Sequence, residues 1–65
     1  MPHFFINSED KTENKIKITD KENYRHIAKS LRAKIGEKLL LIDENQTQYE
    51  TTIENITSTE IVCNI

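Results

Sequence analysis

The sequence predicts a mainly β fold with one helix, in the order β-β-α-β-β-β. Only one stretch, residues 19–36, combines a helix start, two helical faces and a stop, whereas the flanking segments alternate with the period of short strands. The chain has 65 residues, so it forms one domain with a small core. Because a single helix covers little sheet, we expect about five mostly antiparallel strands to curl into a small barrel.

Two strands are expected before the helix. In residues 2–6, Phe4 and Ile6 face one side of an extended chain while Phe5 faces the other. Residues 15–18 read Lys-Ile-Lys-Ile, which is typical of a half-buried strand. The polar residues 7–14 between them indicate a loop.

The helix is expected to run from about residue 20 to residue 32. Thr19 and Glu22 have the spacing of a capping box, and Gly36 is the expected break after the last turn. The 3.6-residue period then predicts one buried face. That face comprises Tyr24, Ile27, Ala28, Leu31 and Ile35.

A basic stripe lies beside this apolar face. With Arg25 at the reference angle, Lys29 falls at roughly 40° and Arg32 at roughly −20°. The stripe is either a solvated face, as charge runs usually are, or a ridge that binds phosphates. The net charge of −2 means that any affinity for nucleic acid must come from such a local patch.

Three strands are expected after the helix. Residues 39–42 are four consecutive apolar residues, which predicts a strand covered on both faces, and residues 43–46 indicate a turn. Residues 47–53 and 60–65 alternate again. We expect Tyr49 to be an aromatic at the edge of the core.

The residues favour a binding or structural module over an enzyme. One glycine is too few for a glycine-rich phosphate cradle, and no Ser–His–Asp set is indicated. His3 and His26 stand apart and Cys63 is the only cysteine, so we expect no metal site. We interpret the pair Asp43 and Glu44 as turn chemistry and Cys63 as a small packing residue. We therefore expect no catalytic, cofactor or metal residues.

The composition also indicates the cellular compartment of the protein. A single cysteine without a secretory signal indicates a reduced compartment, so we expect a cytoplasmic protein. No apolar run reaches the roughly 18 residues that a membrane-spanning helix needs. We expect no membrane partner.

Several motifs follow one another along almost the whole chain: PHFFI at residues 2–6, HIAKSLR at 26–32, Ile-Gly-Glu at 35–37, LLLID at 39–43 and Tyr49 ahead of Ile53. In order and spacing they resemble the amino-terminal domain of the ribosomal RNA small-subunit methyltransferase E family. The sequence departs from the family pattern at His3, where arginine is common, and at Ser30, where valine is usual. Glu44 and Asn45 replace a glycine after Asp43.

The resemblance implies a PUA-like β-barrel that grips RNA. These enzymes methylate N3 of a uridine in 16S ribosomal RNA with S-adenosylmethionine. A second, trefoil-knot domain binds that cofactor, carries the catalysis and makes the homodimer. We therefore expect residues 1–65 to be the RNA-binding domain of a longer two-domain methyltransferase, monomeric and inactive by itself and without a cofactor of its own.

The residues expected to contact small-subunit ribosomal RNA are Arg25, His26, Lys29 and Arg32. The three cations would contact phosphates, and His26 or Tyr49 would touch a base. A different role for Arg32 is an ion pair with a carboxylate such as Asp43 or Glu37. The alternative function is a PUA-like barrel that serves as a scaffold or binds proteins, with its basic stripe solvated.

Overall fold

The computed structural model describes residues 1–65 and contains one six-stranded sheet in the order β1-β4-β5-β6-β3-β2. The strands are β1 (His3–Phe5), β2 (Lys11–Thr12), β3 (Lys15–Ile18), β4 (Lys38–Ile42), β5 (Gln48–Ile56) and β6 (Ile61–Asn64). β1 pairs in parallel with β4, and all other neighbours are antiparallel. The sheet curls into a half-barrel, which confirms the predicted mainly β fold with one helix, although it has six strands instead of five.

The sixth strand lies in the segment that the sequence predicts to be a loop. After β1 the chain makes a 3₁₀ turn at Ser8–Asp10 and then forms β2, which pairs with the start of β3. Glu13 has a φ of 44° in the tight connection between the two strands. The loop prediction was wrong because a two-residue strand is too short to show alternation.

The core lies on the concave side of the curled sheet and under the helix. Period-2 alternation places Ile16 and Ile18 of β3 inside, as predicted, with exposed lysines between them. In β4, Leu39 and Leu41 are buried while the intervening face stays partly open, so this strand is not covered on both faces. The nine residues of the apolar core are Phe4, Ile16, Ile18, Ile27, Leu39, Leu41, Ile53, Ile61 and Cys63.

The helix begins one residue later than the capping-box pattern predicts. Asp20 is the N-cap, and its carboxylate accepts a hydrogen bond from the Asn23 N–H at 3.0 Å. α1 comprises Lys21–Arg25 and continues into a π-helical turn, His26–Ser30, in which the Leu31 N–H donates to the His26 carbonyl at 2.9 Å. The wide turn changes the direction of every side chain that follows it.

The helix ends at Ser30 with Leu31 as its C-cap, two residues before the predicted end at Arg32. Arg32 adopts a left-handed φ of 52°, and the Ala33 N–H reaches back to the Ile27 carbonyl at 3.0 Å. Gly36, with a φ of 96°, is the third residue of a separate turn closed by the Glu37 N–H on the Lys34 carbonyl at 3.1 Å. A positive φ at that position is the conformation for which glycine is preferred.

The early end of the helix changes its buried face. Ile27 is completely buried, and Tyr24 and Ala28 are half-buried against the core, as predicted. Leu31 is 44% exposed and Ile35 is 64% exposed, so their assignment to the core was wrong. Both follow the π turn, where the spacing of 100° per residue no longer applies.

Candidate nucleic-acid interface

A cleft of about 480 Å³ separates the helix from the β5–β6 turn. On the helix side it is lined by Lys21, Tyr24, Arg25 and Lys29, and on the other side by the turn residues 58–60. Three of its helix residues are cations spaced four positions apart, which places them on neighbouring turns of one side of the helix. The cleft is therefore the place where the fold concentrates positive charge.

The cations of the cleft have no carboxylate partner. The only ion pair in the structure joins Lys15 of β3 to Glu54 of β5, away from the cleft. Lys21, Arg25 and Lys29 consequently keep all of their N–H donors available to an anion. Guanidinium and ammonium groups with free donors are the groups that bind phosphate oxygens in nucleic acids.

Tyr24 joins the two walls of the cleft. Its hydroxyl donates a hydrogen bond to the Thr57 carbonyl, and its ring packs against the apolar core. The β5–β6 turn is itself held by the Thr57 hydroxyl oxygen, which accepts from the N–H groups of Thr59 at 3.2 Å and Glu60 at 3.0 Å. These bonds fix the width of the cleft without involving its cations.

The structure brings together only two of the four residues predicted to bind RNA. Arg25 and Lys29 both line the cleft. His26 lies outside it, with its ring edge-on to Phe4 at a centroid distance of 5.3 Å and an angle of 70°. Arg32 is exposed beyond the helix end, so it does not continue the basic stripe.

The third cation of the cleft is Lys21, which the sequence reasoning missed. The spacing of Lys21, Arg25 and Lys29 at intervals of four is visible in the sequence. It could have been recognised if the helix start had been placed at Asp20, because Lys21 then becomes the first helical residue.

The alternative structural role of Arg32 was also wrong. Arg32 forms no ion pair with Asp43 or Glu37. The Glu37 carboxylate instead accepts from the Lys34 N–H at 3.1 Å, within the turn that contains Gly36. No carboxylate therefore ties Arg32 to the sheet.

A second polar cluster surrounds the β4–β5 turn. Asp43 is only 5% exposed, and one of its oxygens accepts from the N–H groups of Asn45 and Thr47, both at 2.9 Å. Its other oxygen accepts from the Tyr49 hydroxyl at 3.3 Å. The carboxylate replaces missing backbone partners in the turn, which confirms the interpretation of Asp43 as turn chemistry.

Tyr49 is a structural aromatic on β5 and does not line the cleft. It is half-buried against the core, as predicted, and the Lys11 ammonium lies 5.9 Å from its ring centroid. Partial burial and the negative charge of Asp43 raise the pKa of the Tyr49 hydroxyl. The phenol therefore stays neutral and continues to donate to Asp43 at physiological pH.

Glu44 fastens the amino-terminal segment to the β4–β5 turn. Its carboxylate accepts from the Ser8 hydroxyl at 2.6 Å and from the Ser8 N–H at 2.8 Å. The hydroxyl hydrogen bond is the main reason why the pKa of Glu44 is lowered, followed by bonds from backbone N–H groups. This contact joins residues that are 36 positions apart in sequence.

Metal-ligand geometry is absent from the structure. No group of three or more His, Cys, Asp or Glu side chains is close enough to hold a metal ion. No helix has the length and apolarity needed to cross a bilayer.

Comparison with known proteins identifies the fold family. A family model described as the RNA methyltransferase PUA domain matches residues 18–65, which include the helix, the cleft and strands β4–β6. The chain belongs to this family. No protein with a curated function matches the sequence of this PUA domain.

Two solved structures share the fold of the PUA domain. A crystal structure of a hypothetical protein superposes with a TM-score of 0.81 at 15% identity, over 95% of this chain and 26% of that one. A candidate methyltransferase from Legionella pneumophila, in complex with the bound cofactor SAM, superposes with a TM-score of 0.80 at 19% identity. That match covers 97% of this chain and 26% of the Legionella protein. The PUA domain therefore spans about a quarter of the length of both.

Proposed function

We propose that this PUA domain binds ribosomal RNA through the cleft between the helix and the β5–β6 turn. The observation that carries the proposal is that Lys21, Arg25 and Lys29 line one open cleft without any carboxylate partner. The acidic net charge of the chain makes this local concentration of free cations more informative, because the rest of the surface does not attract polyanions. Membership of a family of RNA methyltransferase domains supports RNA as the polyanion.

The proposed parent protein is a two-domain methyltransferase that modifies N3 of a uridine in 16S ribosomal RNA. S-adenosylmethionine and the catalytic residues would belong to a trefoil-knot domain outside residues 1–65, and that domain would form a homodimer in the cytoplasm. The family match and the quarter-length coverage of the solved structures support a longer protein. The motif order in residues 2–53 supports the small-subunit enzyme family.

The salt dependence of RNA binding tests the role of the cleft. Each phosphate contact releases counterions, so the logarithm of the affinity for single-stranded RNA falls with a slope of about −0.7 per contact. We expect Arg25→Ala to make this slope shallower by about one contact. Fluorescence anisotropy with a labelled oligonucleotide at several salt concentrations measures it.

Lys38→Ala is the matched control for Arg25→Ala. Lys38 is exposed at the start of β4 and pairs with Thr52 in the middle of β5, whereas the cleft adjoins the end of β5, where Ile56 pairs with Ile61. The control should leave the slope unchanged. Equal effects of the two substitutions would show that the RNA contacts the surface without using the cleft.

His26 and Arg32 remain proposed contacts of a longer RNA that extends beyond the cleft. Both are exposed and neither forms an ion pair. Arg32→Ala, measured in the same titration, should change the slope only for oligonucleotides long enough to reach past the π turn. An unchanged slope at every length would remove Arg32 from the interface.

The alternative function is a scaffold or a protein-binding module. The exposed apolar side chains Leu31 and Ile35 beside the helix end, and Phe5 on β1, favour it. The two functions give different results in one experiment. A folded domain that shows no salt-dependent binding to any RNA would support the scaffold function and contradict our proposal.

We also propose that residues 1–65 alone neither bind S-adenosylmethionine nor methylate RNA. Gly36 is the only glycine and lies in an open turn, so the chain lacks a close backbone cradle for the cofactor. Isothermal calorimetry should detect no heat of binding. Saturable binding of S-adenosylmethionine would contradict the assignment of the cofactor to another domain.

A further inference from the structure

We infer that the cleft selects one unpaired nucleotide whose base stacks on Tyr24 and donates an exocyclic amino group to the Glu60 carboxylate. This inference rests on the RNA-binding function proposed above. It goes further by specifying the substrate class: single-stranded RNA that presents cytosine in preference to uracil. The inference rests on two features of the cleft, the Tyr24 ring and the Glu60 carboxylate. Phosphate binding explains neither of them.

Tyr24 offers a fixed aromatic surface inside the cleft. Its ring is half-buried, because one part packs against the core while another part lines the cleft. The hydrogen bond from its hydroxyl to the Thr57 carbonyl restrains the ring. A base can therefore stack on it without the entropy cost of ordering a mobile side chain, and such stacking is a common way of binding single-stranded nucleic acid.

Glu60 is the only carboxylate that lines the cleft. It is half-buried, and its carboxylate oxygens accept no hydrogen bond and form no ion pair, although three cations line the same cleft. Its backbone is held by Thr57, which fixes where the side chain begins. A carboxylate here repels phosphates, so it opposes the binding of the RNA backbone. It can only accept hydrogen bonds, and a base amino group supplies the donor that it lacks.

A comparison of cytosine with uracil distinguishes stacking on Tyr24 from hydrogen bonding to Glu60. The two bases have the same ring, but cytosine carries an amino donor at C4 and uracil carries a carbonyl acceptor there. The Glu60 carboxylate attracts the amino group at C4 of cytosine and repels the carbonyl oxygen at C4 of uracil. Bases inside a duplex are already stacked on their neighbours, so paired RNA cannot use Tyr24.

The test compares the affinities of the chain for labelled oligocytidine and oligouridine of equal length, at low salt. We expect oligocytidine to bind at least fivefold more tightly than oligouridine. Glu60→Gln should bring the ratio of the two affinities close to one, because a glutamine amide can accept from cytosine or donate to uracil equally well. The ratio is independent of the general gain in affinity that follows the loss of a negative charge.

Tyr24 is tested with the same oligonucleotides. Tyr24→Leu should weaken the binding of both by about tenfold, whereas Tyr24→Phe keeps the ring and should weaken it much less. Circular dichroism of each variant confirms folding. A duplex made from the same sequences should bind more weakly than the single strands.

The outcomes separate this inference from the proposed function. Salt-dependent binding with equal affinities for the two oligonucleotides, or a preference that survives Glu60→Gln, would overturn the inference and leave RNA binding intact. Equal affinity of Tyr24→Leu and the wild type would remove the stacking contact. The absence of binding to every RNA would overturn both.

Discussion

Ile27 is the helix side chain whose truncation we expect to destabilise the domain most. It is completely buried between the helix and the sheet, in the π-helical turn. Replacement of a buried isoleucine by alanine costs about 2–5 kcal/mol, because it removes apolar contacts and leaves a cavity. A domain of this size is stable by roughly 3–10 kcal/mol in total, so Ile27→Ala should remove a large share of its free energy of unfolding.

Leu31→Ala is the matched comparison, four residues further along the chain. Leu31 is 44% exposed, so only about half of its surface leaves the solvent on folding. Complete burial of a leucine contributes about 1.5–3 kcal/mol, which gives roughly 1 kcal/mol for this half-buried position. The two substitutions remove similar side chains from one helix and differ mainly in the burial of the site.

Urea and thermal denaturation followed by circular dichroism measure both effects. A loss of 1 kcal/mol lowers the melting temperature of a small domain by about 4–8 °C, so even Leu31→Ala gives a resolvable shift. We expect Ile27→Ala to lower the free energy of unfolding by at least twice as much. If Leu31→Ala cost as much as Ile27→Ala, the helix would have to continue as a regular α-helix through Leu31, and our assignment of the helix end would be refuted.

Three further predictions concern single side chains. Because the folded-state pKa of Glu44 is lowered, its contact with Ser8 stabilises the fold above the usual glutamate pKa and is lost as the pH falls through the lowered value; Glu44→Gln should remove this part of the acid dependence in urea titrations. Burial raises the pKa of the Cys63 thiol, so a thiol-reactive reagent should modify it only after urea unfolds the chain, and rapid labelling of the native protein would contradict its burial. Gly36→Ala should cost about 1–2 kcal/mol through backbone strain alone, since an added Cβ meets nothing within 4 Å, and an unchanged unfolding midpoint would argue against the positive φ.

The sheet could be predicted from the sequence because its strands carry a clear local signal. Ile16 and Ile18 alternate with lysines, and Thr51 and Ile53 face the core together on β5. The pairing of the strands could not be predicted in detail, since β1 and β4 form a parallel pair between distant segments. That pairing depends on tertiary packing, for which no residue of β1 carries a specific signal.

The candidate site was predicted in part for a similar reason. Arg25 precedes the π turn and Lys29 lies within it. The α-helical spacing still describes the directions of both side chains well enough. Arg32 follows the turn and departs from the stripe. The sequence HIAKSLR contains neither proline nor glycine, so nothing in it marks a widened turn.

The sheet order has a consequence for the folding of the chain while it is being synthesised on the ribosome. β3 pairs only with β2 and β6. The pairing partner of Ile18 on β6 is Ile61, which is synthesised 43 residues later. At 5–20 residues per second, this delay amounts to roughly 2–9 s. During that interval one edge of β3 lacks its partner β6, and the alternating Lys15 and Lys17 are charged residues of the kind that disfavour pairing of an open strand edge with another chain.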